Sequence, residues 1–155
     1  MDNSKEDTTN NNNKSEFVSD KFSRGEATLE EHQAEVLRLV NNEREKAGVP
    51  PLEADPLLME IAQLKAEEME DLDYFGHESP NYGSPTAFAK NYGYSGGVGE
   101  NILKGSYTPS SVVGMLMKSE AHKENMLNPN YKYLGVGRAG EHGGKLRLGV
   151  QMFSY

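Results

Sequence analysis

His77, Glu100 and His122 are the residues of this sequence whose types and surroundings best suit a shared chemistry. They stand in three short segments in which ionisable side chains accompany turn-forming residues: 74–80, 97–102 and 118–125. In the second segment Glu100 lies beside apolar residues, and a buried carboxylate needs a cationic or hydrogen-bonding partner. An imidazole donates to a carboxylate and is held in one tautomer by it. The two histidines are therefore the predicted partners of Glu100.

Three other residues invite a functional interpretation, but a structural one is favoured for each. His32 lies on the apolar side of the first predicted helix, which is typical of a core histidine, and His142 lies in a glycine-rich predicted turn, where we expect it to be solvated. Ser79 follows His77 by two residues. Without an assured contact between them, this spacing does not indicate a nucleophile and its base.

The composition excludes several classes of function. The chain has 155 residues, 24 acidic against 16 basic, and a formal net charge of −8, so a phosphate backbone or an anionic lipid surface is a poor partner. It contains no cysteine, so any metal must be bound by histidine and carboxylate. No apolar run approaches the roughly 20 residues that span a bilayer. The sequence predicts one soluble domain with no transmembrane segment and no nucleic-acid partner.

The beginning of the chain differs from the rest. Residues 1–27 are rich in Asn, Ser, Thr and charged side chains, with four consecutive asparagines at 10–13, and such a segment cannot offset its own ordering entropy. We predict a flexible polar leader over 1–27 and a folded domain over 28–155. The leader suits a tether between a removed export signal or lipid anchor and the domain. The alternative is a tag or a cytosolic tail.

Cap signals predict where the helices begin. Thr28, Asp55, Ser84 and Thr108 each precede a stretch of helical periodicity, and the last three are followed by proline. A further helix is predicted over 119–127. The second helix carries glutamates opposite its apolar stripe, which we interpret as a solvated face: Glu60, Glu67, Glu68 and Glu70.

Strand patterns cluster late in the chain, at 98–103, 133–138 and 146–153. A glycine-rich turn separates the last two, which predicts a hairpin. Helices in the first half followed by an antiparallel meander in the second half favour an α+β fold.

These ordered segments resemble the bacterial branch of the CAP superfamily, the cysteine-rich secretory protein, antigen 5 and pathogenesis-related-1 group, also called the SCP domain. The resemblance runs from His32 to the C-terminus and includes Gly-His-Glu-Ser-Pro at 76–80 and Gly-Glu-Asn-Ile at 99–102. The other matching segments are 36–44, 48–52, 62–69, 92–94, 119–127, 134–137 and 151–153.

The resemblance implies an α-β-α sandwich, in which a central, mostly antiparallel sheet lies between helical layers and a broad cleft opens at one edge. It also implies a secreted or surface-tethered protein. Family members commonly place two histidines and two glutamates in the cleft. His77, Glu100 and His122 match three of these, and Glu120 is similar in sequence order to the fourth, although bacterial members often lack an acid there. A helix start favours an acid in any case, so a structural role for Glu120 is the preferred interpretation.

His77 and His122 are therefore candidate ligands of a divalent metal, above all zinc, with water completing a tetrahedron and Glu100 orienting one imidazole. The equally weighted alternative is a hydrogen-bonded His–Glu network that braces the cleft without a metal.

Two functions of different class remain open. The first is a binding module whose cleft holds the metal and a small apolar or peptide-like ligand. The second is a metal-dependent hydrolase, a peptidase or esterase, with metal-bound water or a His–Glu pair as general base. The sequence offers no identifiable nucleophile and no third metal ligand, so it favours the binding module over an enzyme.

Overall fold

The structure, a computed structural model, describes residues 21–22, 27–106, 108–140 and 147–155. Most of the predicted leader, 1–27, lies outside these residues, as does the turn that contains His142. Of the leader, Lys21 forms a 2.8 Å ion pair with Glu31, and the backbone oxygen of Ala27 accepts a 2.7 Å hydrogen bond from Arg138.

Five helices lie within the described residues 27–140, and the four with a predicted cap residue begin directly after it. They are α1 (Leu29–Lys46), α2 (Pro56–Asp71), α3 (Pro85–Asn91), α4 (Pro109–Met117) and α5 (Glu120–Leu127). Thr28 and Glu31 close a capping box at the start of α1, because the hydroxyl and the carboxylate satisfy amides that lack helical partners. Gly48, with φ at 72°, supplies the left-handed turn just beyond the end of α1.

Within the part of the chain that the structure describes, the sheet has four strands in the spatial order β1-β3-β4-β2. They are β1 (Glu53–Ala54), β2 (Val98–Lys104), β3 (Tyr133–Ala139) and β4 (Leu148–Ser154). β3 and β4 are antiparallel neighbours, with Tyr133 opposite Ser154, which confirms the predicted pairing of these two strands. β1 pairs with β3 in parallel, and its two exposed residues carry no hydrophobic pattern by which the sequence could have predicted it.

The predicted meander is wrong, because β2 does not pair with the strand that follows it. β2 pairs antiparallel with β4, and β4 therefore occupies the centre of the sheet between β3 and β2. Two helices, α4 and α5, separate β2 from β3 along the chain, so the connection is long enough to leave space for β4. β2 lies at one edge of the sheet as a result.

The sheet separates two hydrophobic cores, which confirms the predicted α-β-α sandwich. Residues of α2 and α3 pack on one face, including Leu58, Ile61 and Phe88. Residues of α1, α4 and α5 pack on the other, including Val36 and Leu116. Successive side chains of a strand point to opposite faces, so each inner strand contributes to both cores.

Two glycines of β3 bring α2 unusually close to the sheet. A Cβ atom added at Gly135 would collide with the backbone carbonyl of Leu58, and one added at Gly137 would collide with that of Ala62. The neighbouring Leu134 and Val136 point into the opposite core. The alternation of glycine with large apolar residues in β3 therefore fits a helix backbone on one side and side chains on the other.

Candidate functional site

Glu100 lies at the centre of the candidate site, on the edge strand β2. It is opposite Met152 of β4 and therefore faces the core that contains α2 and α3. Its side chain is fully buried, whereas the side chain of His77 is 53% exposed. Nδ1 of His77 lies 2.8 Å from Oε1 of Glu100. The structure thus brings together the first of the two predicted histidines and the predicted carboxylate.

Lys65 of α2 is one residue at this site that sequence analysis missed. Its side chain is completely buried, and its ammonium nitrogen lies 3.5 Å from Oε2 of Glu100. The same nitrogen donates a 2.6 Å hydrogen bond to the backbone oxygen of His77. It also lies 5.9 Å from the ring centre of Tyr74 and 5.5 Å from that of Phe88, distances at which a cation is attracted to an aromatic face.

The signal for Lys65 was present in the sequence. Lys65 stands on the apolar stripe of α2, between Ala62 and Met69, and a lysine is almost never fully buried without a partner. A lysine on such a stripe, together with a glutamate beside apolar residues in a strand, therefore indicates a buried ion pair between them.

The backbone of His122, in α5, is attached to β2 through Asn101. Asn101, the residue after Glu100, is fully buried, and its side-chain amide donates a 2.9 Å hydrogen bond to the backbone oxygen of His122. Asn125 donates from its amide to Oδ1 of Asn101 at 2.9 Å and to the backbone oxygen of Glu100 at 3.3 Å. These asparagines attach α5, and with it His122, to the strand that carries Glu100.

The surroundings raise the pKa of one histidine and lower the pKa of the other. The hydrogen bond to Glu100 raises the pKa of His77 above its usual 6.5, against the effect of burial. Burial lowers the pKa of His122, and the positive charge of His77 lowers it further.

A protein-family model matches the part of the chain that contains this site. The model of the CAP, cysteine-rich secretory protein family matches residues 37–153, which is most of the chain and includes all the site residues named above. The chain belongs to the CAP family. The sequence resemblance is thereby confirmed.

Two bacterial relatives of this CAP domain come from Bacillus subtilis (strain 168). The uncharacterized protein YkwD is 44% identical over 112 residues, which are 72% of this chain and 44% of YkwD. The uncharacterized membrane protein YlbC is 34% identical over 106 residues, which are 68% of this chain and 31% of YlbC. The chain thus spans less than half the length of either relative.

Solved structures share the fold of this CAP domain. An extracellular protein containing an SCP domain from Bacillus anthracis str. Ames superposes with a TM-score of 0.72 at 25% identity, over 79% of this chain and 39% of that protein. An outer surface protein of Borrelia burgdorferi superposes with a TM-score of 0.67 at 22% identity, over 74% of this chain and 84% of its own.

None of the helices in the described part of the CAP domain combines the length and the apolar character of a bilayer-crossing segment.

Glu120, the fourth predicted cleft residue, lies on the surface of α5. It is exposed, as the first residue of the helix, and it lines a shallow groove together with Glu124 and Leu127. His122 follows by two residues, which turns a side chain about 200° around a helix axis. Glu120 and His122 therefore project from nearly opposite sides of α5.

The other residues considered in the sequence analysis lie in surroundings that indicate structural roles. His32 is 1% exposed, and burial lowers its pKa to about 3, as expected for a core histidine. Ser79 is buried, and its hydroxyl donates a 2.5 Å hydrogen bond to Glu68. Tyr74 donates to the same oxygen of Glu68 at 2.5 Å, so the interpretation of Glu68 as a solvated residue is wrong.

The donor set determines what metal chemistry the site allows. Within the described ranges, no group of three or more His, Cys, Asp or Glu side chains is arranged to hold a metal ion. His77 and His122 offer two imidazoles, and Nδ1 of His77 is committed to Glu100, which leaves Nε2 for an ion. A carboxylate behind a ligating imidazole is the usual arrangement in zinc sites, so these residues fit a two-histidine site.

Proposed function

We propose that this CAP domain is a secreted or surface-attached binding module, in which His77 and His122 bind a divalent metal and a small or peptide-like ligand binds beside it. The observation that carries the proposal is the 2.8 Å contact between Nδ1 of His77 and Glu100. Because a carboxylate only accepts hydrogen bonds, this contact favours the neutral tautomer with the proton on Nδ1, in which the lone pair of Nε2 is available to a metal.

Burial supports the same function. Glu100 and Lys65 are fully buried, whereas half of the His77 side chain is exposed. The charged pair is thus inside the protein, and the imidazole that it orients is at the surface. A network that only braced the fold would not need an exposed imidazole at its end.

Zinc is the metal that suits these donors best, because it accepts imidazole nitrogen and is satisfied by tetrahedral coordination. When bound, the ion would supply an electrophilic centre for an oxygen atom of the ligand. The chain itself would supply the two imidazoles, the carboxylate that orients one of them and the buried lysine that balances its charge. Two protein ligands imply weaker binding than at three-ligand sites.

Attachment outside the cell is supported by two related structures, which belong to an extracellular protein and to an outer surface protein. The polar composition of residues 1–27 suits a tether.

Zinc titration by calorimetry tests the proposal. The wild-type protein is expected to bind one zinc ion at pH 7.5, and His77→Ala and His122→Ala are each expected to weaken binding at least tenfold because a ligand is lost. Glu120→Ala is the control, and its affinity is expected to match the wild type because Glu120 projects from the other side of α5. Unchanged affinity in both histidine variants would contradict the proposal.

Activity measurements separate binding from hydrolysis. Wild type and the double variant His77→Ala/His122→Ala are compared on casein and on an ester panel, with and without zinc. We expect no zinc-dependent turnover, since no group of three or more His, Cys, Asp or Glu side chains in the described ranges is arranged to hold an ion, and catalytic zinc usually has three protein ligands. Zinc-dependent turnover that the double variant loses would instead establish a metal-dependent hydrolase.

A further inference from the structure

The segment that carries His77 has little regular structure of its own. It follows α2 and precedes α3, and within it the described residues form only an isolated bridge between Ser79 and Gly83. The exposed His77 ring has one hydrogen-bonded partner within the described residues, Glu100. The direction of the ring therefore depends on how well the backbone on both sides of His77 is held.

Helix α2 holds that backbone at three points. Lys65 and Glu68 are three residues apart and so lie on one side of the helix. Lys65 binds the backbone oxygen of His77 itself. Glu68 accepts hydrogen bonds from Tyr74, three residues before His77, and from Ser79, two residues after it.

The contact with Ser79 extends further along the segment. The Ser79 hydroxyl oxygen, while donating to Glu68, accepts hydrogen bonds from the backbone amides of Asn81 at 3.2 Å and Tyr82 at 3.1 Å. Ser79 and Gly83 also exchange two backbone hydrogen bonds, at 2.7 and 3.0 Å. One carboxylate oxygen of Glu68 thus organises the chain on both sides of His77.

Other glutamates of α2 do not share this environment. Glu60 and Glu67 are exposed, whereas Glu68 is half-buried. Burial and the neighbouring Glu68 raise the pKa of the Tyr74 hydroxyl, so Tyr74 remains a hydrogen-bond donor to the carboxylate at physiological pH.

We propose that Glu68 is a positioning residue for His77: it fixes the segment through Tyr74 and Ser79 so that the imidazole meets Glu100 with its Nδ1 and presents its Nε2 outward. The consequence for metal binding rests on the proposed function, whereas the consequence for the His77 tautomer does not.

The direct readout is the tautomer of His77, measured by nitrogen NMR of the imidazole in the zinc-free protein at pH 8.5. In the wild type the Nδ1–H form is expected to predominate because Nδ1 donates to Glu100. Glu68→Ala is expected to shift the population toward the Nε2–H form and to accelerate amide hydrogen exchange across residues 75–82. Glu68→Gln retains an acceptor oxygen and is expected to restore most of the wild-type ratio. Glu60→Ala is the matched control and should change neither quantity.

Zinc affinity gives the second readout. Glu68→Ala is expected to weaken zinc binding about tenfold, the size of effect that residues behind a metal ligand commonly have. If wild type binds no zinc, the proposed function fails, and the tautomer ratio alone decides the present inference.

A Glu68→Ala variant with the wild-type tautomer ratio and exchange rates would overturn the inference. If Glu68→Ala does not fold, Tyr74→Phe replaces it, because this change removes one hydroxyl and retains the ring. Tyr74→Phe is expected to shift the ratio in the same direction by a smaller amount, and an unchanged ratio would overturn the inference equally.

Discussion

The ammonium nitrogen of Lys65 lies 3.5 Å from Oε2 of Glu100, and neither side chain is exposed to solvent. Oε2 accepts no hydrogen bond from any described residue, so the charge of Lys65 is its main compensation. Removing a carboxylate from water is costly unless a cation accompanies it. The buried lysine is therefore what allows a charged Glu100 to stand behind His77.

Replacing Lys65 with methionine should destabilise the protein by about 3 to 5 kcal/mol, since it leaves an unpaired buried charge. The double variant Lys65→Met/Glu100→Gln should recover much of this loss because the charge is then absent. Urea denaturation measures both. Lys90→Met, at an exposed position of α3, is the control, and a loss below about 1 kcal/mol in Lys65→Met would contradict the role assigned to the pair.

Gly135→Ala should destabilise the fold by at least about 1 to 3 kcal/mol. The added methyl group meets the carbonyl of Leu58 and forces α2 away from β3. Gly114→Ala gives a matched contrast. Gly114 lies in α4 with open space around it, so alanine there should stabilise by about 0.5 to 1 kcal/mol. Thermal or urea unfolding checks both, and equal effects of the two substitutions would refute the close approach of α2.

His32 should make the protein less stable in acid. Burial lowers its pKa from 6.5 to about 3, so below pH 6.5 the unfolded chain binds a proton that the folded protein does not. The free energy of unfolding should then fall by up to about 1.4 kcal/mol per pH unit between these two values. His32→Leu should show a shallower acid slope than wild type over pH 6.5 to 4. Parallel slopes would show that His32 does not contribute.

Zinc binding should weaken on acidification, starting above pH 6.5. The bond to Glu100 raises the pKa of His77, so zinc must displace a more tightly held proton from this ring, whereas His122, with its lowered pKa, remains neutral to a lower pH. Below the pKa of His77 the affinity should fall about tenfold per pH unit. Calorimetry at several pH values measures this. Equal zinc affinity at pH 5.5 and 7.5 would exclude histidine ligation.

Local rules predicted the helices well but not the order of the strands. Thr28 and Asp55 act on amides within three residues of themselves, so their effect is visible in sequence. The position of β4 between β3 and β2 depends instead on long connections and on which surfaces are left to bury, and no short pattern encodes it. β1 was missed because two exposed residues carry no periodicity.

The sequence predicted those parts of the site in which one residue, by its type and its neighbours, requires a partner. A glutamate beside apolar residues indicated a need for a partner, and His77 was among the candidates. Lys65 was missed because it was interpreted through the periodicity of its helix rather than through its charge. Glu68 was missed because its partners, Tyr74 and Ser79, belong to a segment whose path sequence patterns do not predict.

The most direct test of the metal site is an anomalous diffraction experiment at the zinc absorption edge, on crystals grown at pH 7.5 with zinc chloride. We expect one peak about 2.0 to 2.1 Å from Nε2 of His77 and at the same distance from a ring nitrogen of His122. Zinc peaks confined to other surface positions, or imidazole rings too far apart to share one ion, would contradict the account.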